Sequence, residues 1–346
     1  PTDTMNNLLR HSLYPLLSLP LITLCCAADQ YPWSNSAPEN IVRNALTPDR
    51  VLDESASDWR PAVSAIFKPL VKDCRSAREA VLTIAANMTK ATGVIYSRER
   101  RTPCMNATEA LAEKKVSCTG QSILLVCALR SVGIPARAVG LLTWNHIPGN
   151  HTWVEAWFDG EWHMIEFNEK DFNTPWVMDY LSMIDPRNPA QRIWAATAEP
   201  TGYYFPAVWN RDSRIPAIDV TERYIRLART WSEQNGQAPD TQKLMVELQP
   251  RPASPTIIQL IDDSGNLIDE APLPGPSDDI RKLATLQLPR SGTHYLRLKN
   301  RPGNLIPVSP TDNAVQILHL RRSTPTPSAP NAPSAPTPPA TPAPQP

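Results

Sequence analysis

The sequence carries no net charge, because 34 Lys and Arg residues are matched by 34 Asp and Glu, and its isoelectric point is about 7.4. That balance excludes nucleic acid as a partner, since binding it takes a basic stripe that displaces counterions. The chain also lacks a run able to cross a bilayer: the apolar stretch Leu13 to Leu24 is too short, and Pro15 and Pro20 interrupt it. Among six cysteines no pair has zinc spacing. No clustered acidic loop resembles a calcium site, and Asp262-Asp263 before Gly265 reads as a hairpin turn. No cofactor is expected. Glycine is scarce, at 12 residues, whereas proline numbers 38, ten of them in the last 24 positions.

What is present divides the chain. A length of 346 residues suits about two domains of roughly 150 residues. Met5, Arg10, His11, the apolar run and the small pair Ala27-Ala28 read as a secretory signal over residues 1–28, so a secreted, periplasmic or cell-envelope location is expected. Residues 29–60 form a Pro-punctuated, extended lead-in with a short helix near Asn40 to Ala45. From Ala62, two stretches with helical apolar spacing follow, stopped by Gly93. Residues 61–235 make one domain. Beyond it, short alternating runs separated by Pro, Gly and Asp predict a small β-sandwich over 240–322. Residues 323–346 are a disordered, polyproline-type tail.

Past the signal the cysteines are Cys74, Cys104, Cys118 and Cys127. Cys118 and Cys127 lie on one expected helix, about 13 Å apart along its axis, too far to bridge. A disulfide in an oxidising compartment would therefore join Cys74 to Cys104, the alternative being two buried thiols. Ser117 caps the helix, whose body from Ile123 to Leu129 is apolar on every side, so it must be central and buried. Residues 151–168 read as a hairpin turning at Asp159-Gly160. Pairing Phe158 with Glu161 sets Trp153 opposite Glu166 and His151 opposite Asn168, and makes His151 and Glu166 diagonal neighbours on one face. His163 points to the other face, which defeats a metal site built from His146, His151, His163 and Cys118.

Cys118 thus starts a helix, where unpaired N–H groups favour a thiolate, and a His with a nearby carboxylate follows in sequence: nucleophile, base and orienter. Ser117-Cys118-Thr119-Gly120, then Gly133-Ile134-Pro135-Ala136-Arg137, then His151-Thr152-Trp153-Val154-Glu155, resemble the motifs of the transglutaminase-like superfamily over residues 65 to 175. The resemblance implies an α+β, papain-like core with a helix-borne Cys packed on an antiparallel sheet. It also implies acyl transfer at peptide or glutamine-type amide bonds, with Cys118 as nucleophile and His151 as acid and base. The family's acid, four residues after a Trp, falls on Glu166 after Trp162. It is usually Asp, and Asn168 is the alternative orienter. The oxyanion would be held by the Cys118 N–H and a second donor, for which Tyr96 and Trp144 are the candidates. Glu155 is read as structural, and Asn145 and His146 as a loop beside the site. The expected partner is a protein or peptide substrate, with cell-envelope association through the C-terminal domain and tail. Hydrolysis is favoured over amine transfer. The alternative is an inactive cell-surface scaffold built on the same core.

Overall fold

The computed structural model describes residues 31–235, 240–313 and 315–321; the expected signal segment and Pro-rich tail lie outside them. The chain forms two compact units. The first runs to Gln237 and includes Ser277–Lys282, and the second holds Ala238–Pro276 and the residues from Leu283.

In the first unit, α1 (Glu39–Ala45), α2 (Arg60–Val71), α3 (Ala77–Ala86) and α4 (Met88–Thr92) precede a two-stranded parallel pairing of β1 (Ile95–Tyr96) with β2 (Lys115–Val116). The second of the two expected helical runs, the one that Gly93 stops, breaks at Asn87, which ends α3 and opens α4. Between the two short strands, α5 (Ala107–Glu113) begins with a reciprocal cap: Asn106 accepts from the Glu109 N–H, and the Glu109 carboxylate accepts from the Asn106 N–H. Helix α6 (Cys118–Ser131) follows β2 directly. Ser117 Oγ accepts from the Gly120 N–H at 3.0 Å and so caps it. Its apolar body has no solvent face, and Ile123, Leu124, Leu125, Val126 and Leu129 are fully buried in the unit's core. Gly120 is required by close approach: a Cβ there would stand 2.9 Å from Val116 Cβ.

Helix α6 packs on β3 (Ala136–Leu141) and β4 (His151–Phe158). These belong to a five-stranded antiparallel sheet with β5 (Glu161–Ile165), β6 (Trp194–Ala196) and β7 (Ala217–Asp219), ordered β5-β4-β3-β6-β7. The hairpin turns at Asp159 and Gly160, both with positive φ, and Phe158 pairs with Glu161. Pairing stops at Val154 and Ile165. The expected pairing of His151 with Asn168 is therefore not made. Asn168 takes a left-handed φ of 65°, donates its N–H to Ala85 O, and exchanges side-chain bonds with Thr89. Helices α7 (Pro175–Leu181) and α8 (Thr221–Asn235) complete the unit.

The Cys74–Cys104 disulfide is not formed, and both are free thiols. Each sulfur has its own partner: Cys74 Sγ lies 3.7 Å from Thr83 Oγ1, and Cys104 Sγ 3.4 Å from Asp53 Oδ1.

In the second unit, β9 (Ile257–Asp262), β10 (Leu267–Pro272), β12 (His294–Leu298) and β13 (Arg301–Val308) form a sheet ordered β10-β9-β12-β13. A second sheet, β11-β8-β14, holds β8 (Thr241–Gln249), β11 (Ala284–Pro289) and β14 (Val315–Arg321). Leu244, Leu260, Leu286 and Leu296, drawn from both sheets, share one buried cluster. Gly265, φ 84°, makes the β9–β10 turn at Asp262-Asp263, a hairpin as its sequence implies.

Candidate active site

Cys118 is the first residue of α6 and is only 6 % exposed. Two bonds tie its helix to the strand that carries the histidine: Thr119 Oγ1 meets Thr152 Oγ1 at 3.1 Å, and Ser122 Oγ donates to Thr152 O at 2.9 Å. His151 opens β4, where it pairs with Leu141. Its ring stands among Trp144, Trp153 and Trp176, with centroids 5.9, 5.9 and 4.8 Å away. Nε2 of His151 lies 2.5 Å from Glu166 Oε1. Glu166 sits just past the end of β5 and still reaches the ring, whereas Asn168 is turned to Thr89 and takes no part in orienting His151.

With Nε2 engaged by Glu166, Nδ1 is the nitrogen left for the thiol, and it faces a residue that sequence reasoning missed. Asp279 Oδ2 is 3.5 Å from His151 Nδ1. The Cys118 sulfur, a ring nitrogen of His151 and an Asp279 carboxylate oxygen all lie within 4.8 Å of one another, and all three residues are buried. Asp279 belongs to the short stretch Ser277–Lys282, which the first unit gathers in from far along the sequence. That stretch is fixed at several points. The Tyr180 hydroxyl donates to Arg281 O at 2.6 Å, and Lys282 Nζ sits 3.3 Å from Glu169 Oε1. The Arg281 guanidinium crowds Gly149, whose added Cβ would come 2.4 Å from Arg281 Nε.

The electrostatics follow from this placement. Burial alone would drive the proton off the His151 ring, but the Glu166 charge and the contacts with Asp279 and Cys118 outweigh it and hold the ring's pKa well above 6.5. For Asp279, burial works upward, while the His151 cation and the Arg281 charge bring the carboxyl down to about 2. The cleft has a volume of about 220 Å³ and is lined by Cys118, His151, Glu166, Trp176, Asp279 and Lys282, among others. A thiolate, an imidazole and a carboxylate are zinc-type donors. A metal held by Cys118, His151 and Asp279 would occupy the very atoms the thiol chemistry uses.

Of the two oxyanion candidates, Tyr96 lies within reach of the charges on Cys118 and Asp279, and the Trp144 ring is 5.9 Å from that of His151. Burial raises the Tyr96 hydroxyl pKa, with the Asp279 and Cys118 charges adding to the effect. The Trp144 ring stacks on Trp153 at 6.3 Å, and its indole N–H is buried with no acceptor among the described residues. Asn145 ties its loop to the segment after α7: Nδ2 donates to Met183 O at 2.7 Å, and Oδ1 accepts from Gln191 Nε2. Glu155 is fully buried and pairs with Arg137 at 2.8 Å and with Arg223. It also accepts from the Tyr224 hydroxyl, which in turn accepts from Trp153 Nε1. Glu155 therefore braces the tryptophan beside His151 and does not reach the thiol.

Residues 64–167 match the transglutaminase-like superfamily, and this stretch is a transglutaminase-like domain. Among solved structures the chain is similar to a candidate cysteine protease from Cytophaga hutchinsonii, with 16% identity over 49% of this chain and 59% of that one and a TM-score of 0.29. It is similar to the periplasmic domain of TgpA from Pseudomonas aeruginosa bound to ethylmercury, with 19% identity over 31% and 43% of the two chains and a TM-score of 0.26. Red sea bream transglutaminase is similar at 10% identity over 81% and 66%, with a TM-score of 0.32. The chain thus spans less than two thirds of each of these structures. No curated protein matches it.

Proposed function

We propose that the protein is an exported, thiol-dependent enzyme that transfers the acyl group of a peptide or glutamine-type amide, usually to water. The observation that carries this reading is the His151 ring, held at Nε2 by Glu166 and with a ring nitrogen within 4.8 Å of the Cys118 sulfur at the start of α6. In this scheme the Cys118 thiolate attacks the amide carbonyl carbon, forming a C–S bond and sending the π electrons onto oxygen. The Cys118 N–H, with Tyr96 or the unpartnered Trp144 indole N–H, receives that oxygen. Collapse breaks the C–N bond, and the amine leaves with the proton from His151 Nδ1. The neutral ring then takes a proton from water as water attacks the thioester, releasing the acid and restoring the thiolate with its imidazolium. The small, polar cleft, lined by Glu166, Glu169 and Lys282, supports water as the acceptor over a bulky amine.

The test offers the purified protein a glutamine-containing peptide, with and without a fluorescent amine, beside Cys118→Ala. Ammonia release or peptide cleavage without amine incorporation is the expected result, lost by at least about 10³-fold in the variant. Alkylation by iodoacetamide should be faster at Cys118 than at the buried Cys127. Equal alkylation with no product would leave the core a scaffold.

A further inference from the structure

A second concavity, of about 390 Å³, opens at the other end of the same helix and sheet. Its floor is Arg130, in the last turn of α6, and Arg137, near the start of β3. The length of α6 sets this floor roughly 20 Å from the nucleophile. One wall is the lead-in, with Arg50 and Asp53, and the other is the stretch after β6, with Ser213 and Arg214.

Four guanidinium groups and one carboxylate line this cavity. The carboxylate is already committed, because Asp53 accepts from Trp209 Nε1 at 2.7 Å and from Asn210 Nδ2 at 3.0 Å. Arg130 donates to the carbonyls of Ala45, Pro48, Arg50 and Ala136; Glu54 and Asp49 act on its charge only through space, with no ion pair to it within 4 Å among the described residues. Arg137 has the carboxylate of Glu155, but Arg223 shares it. Arg50 and Arg214 make no ion pair within 4 Å among the described residues. Burial brings both floor arginines down to about 10, as expected for cations whose desolvation is only partly offset. A further observation points the same way: Ser213 Oγ is buried at this wall and has no hydrogen-bond partner among the described residues.

We infer that this cavity is a binding site for a small polyvalent oxyanion, a carboxylate or a phosphate, separate from the thiol centre. Its volume lies within the roughly 300–1,000 Å³ of small-molecule sites. Guanidinium groups match such anions with paired N–H donors. The Ser213 hydroxyl supplies a further donor, and Val51, Leu52 and Ile215 give the ligand's carbon skeleton an apolar surface. The bound anion would join the lead-in to the later wall, which Asn44 already links by accepting from Thr197 Oγ1 at 2.9 Å.

The experiment measures melting temperature and calorimetric binding of the full chain with inorganic phosphate or with tricarballylate, against sodium chloride at equal ionic strength. The comparison protein is the Arg50→Gln, Arg214→Gln double variant, which changes two exposed side chains and spares the floor. A rise of about 3 °C or more with either anion, absent with chloride, is expected for the unaltered chain. The double variant should melt normally without ligand, lose that rise, and bind at least tenfold more weakly. A rise with phosphate alone or tricarballylate alone identifies which oxyanion the site takes. No rise with either, an equal rise with chloride, or an equal rise in the double variant overturns the inference. None of these readouts depends on Cys118.

Discussion

Asp279 Oδ2 stands 3.5 Å from one nitrogen of His151 while Glu166 Oε1 stands 2.5 Å from the other, so a single buried imidazole lies between two carboxylates. An imidazolium can satisfy both. In the ion pair of the proposed mechanism, however, the Nδ1 proton would belong with the sulfur, and Asp279 would compete for it. Asp279→Asn is therefore expected to speed iodoacetamide alkylation of Cys118 by about tenfold. Mass spectrometry of the Cys118 peptide over time would measure this. A slower reaction in the variant would mean that Asp279 supports the thiolate instead.

The same pair makes stability depend on pH in a defined direction. The Asp279 carboxyl is depressed in the fold, so its contribution is complete above about 4 and is lost as pH falls through about 2. Its size is on the order of 2 kcal/mol. His151 is raised in the fold, so its contribution is complete below 6.5 and is lost as pH climbs through the elevated folded value. Urea midpoints should therefore fall on both sides of a window from about 4 to 6.5, and the acid limb should be shallower in Asp279→Asn.

Glu166→Gln keeps a hydrogen-bonding group beside Nε2 but removes the charge that holds the ring protonated. Turnover is expected to fall by about 10²-fold or more, with the alkaline limb of the rate profile moving to lower pH. Asn168→Ala removes both side-chain bonds with Thr89 and strains the left-handed backbone there, so it should cost some stability but change turnover less than about twofold. Kinetics on the two variants side by side would separate the orienter from its neighbour in sequence.

Glu155→Gln leaves Arg137 and Arg223 facing each other across a buried site without their shared carboxylate. A loss of about 3–5 kcal/mol in urea unfolding is expected, because a buried charge left without its partner is costly. The protein that remains folded should keep most of its thiol reactivity.

Much of this architecture could be read locally. Asp159-Gly160 dictates a tight turn and so a register, and Ser117 ahead of an all-round apolar helix dictates a capped, central α6. The reading failed where local rules were carried past the end of an element. Alternation along the hairpin would carry the pairing to residue 168, but β5 stops at Ile165 and Asn168 adopts a left-handed backbone conformation that sends its side chain to Thr89. Cysteine spacing leaves Cys74 and Cys104 as the pair able to bridge, whereas Thr83 and Asp53 decide where those sulfurs lie. Asp279 left no usable signal, since a carboxylate in a short polar stretch reads as a loop until tertiary packing places it.

The placement of Ser277–Lys282 has a practical corollary for dissecting this molecule. A fragment cut at the natural-looking linker after Asn235 would contain Cys118, His151 and Glu166 but would lack Asp279, the Arg281 carbonyl that receives Tyr180, and the Lys282 ammonium beside Glu169. Such a fragment would pass any motif search, yet its thiol would sit in a different electrostatic setting. The unit that surrounds Cys118 is contiguous in space and interrupted along the chain.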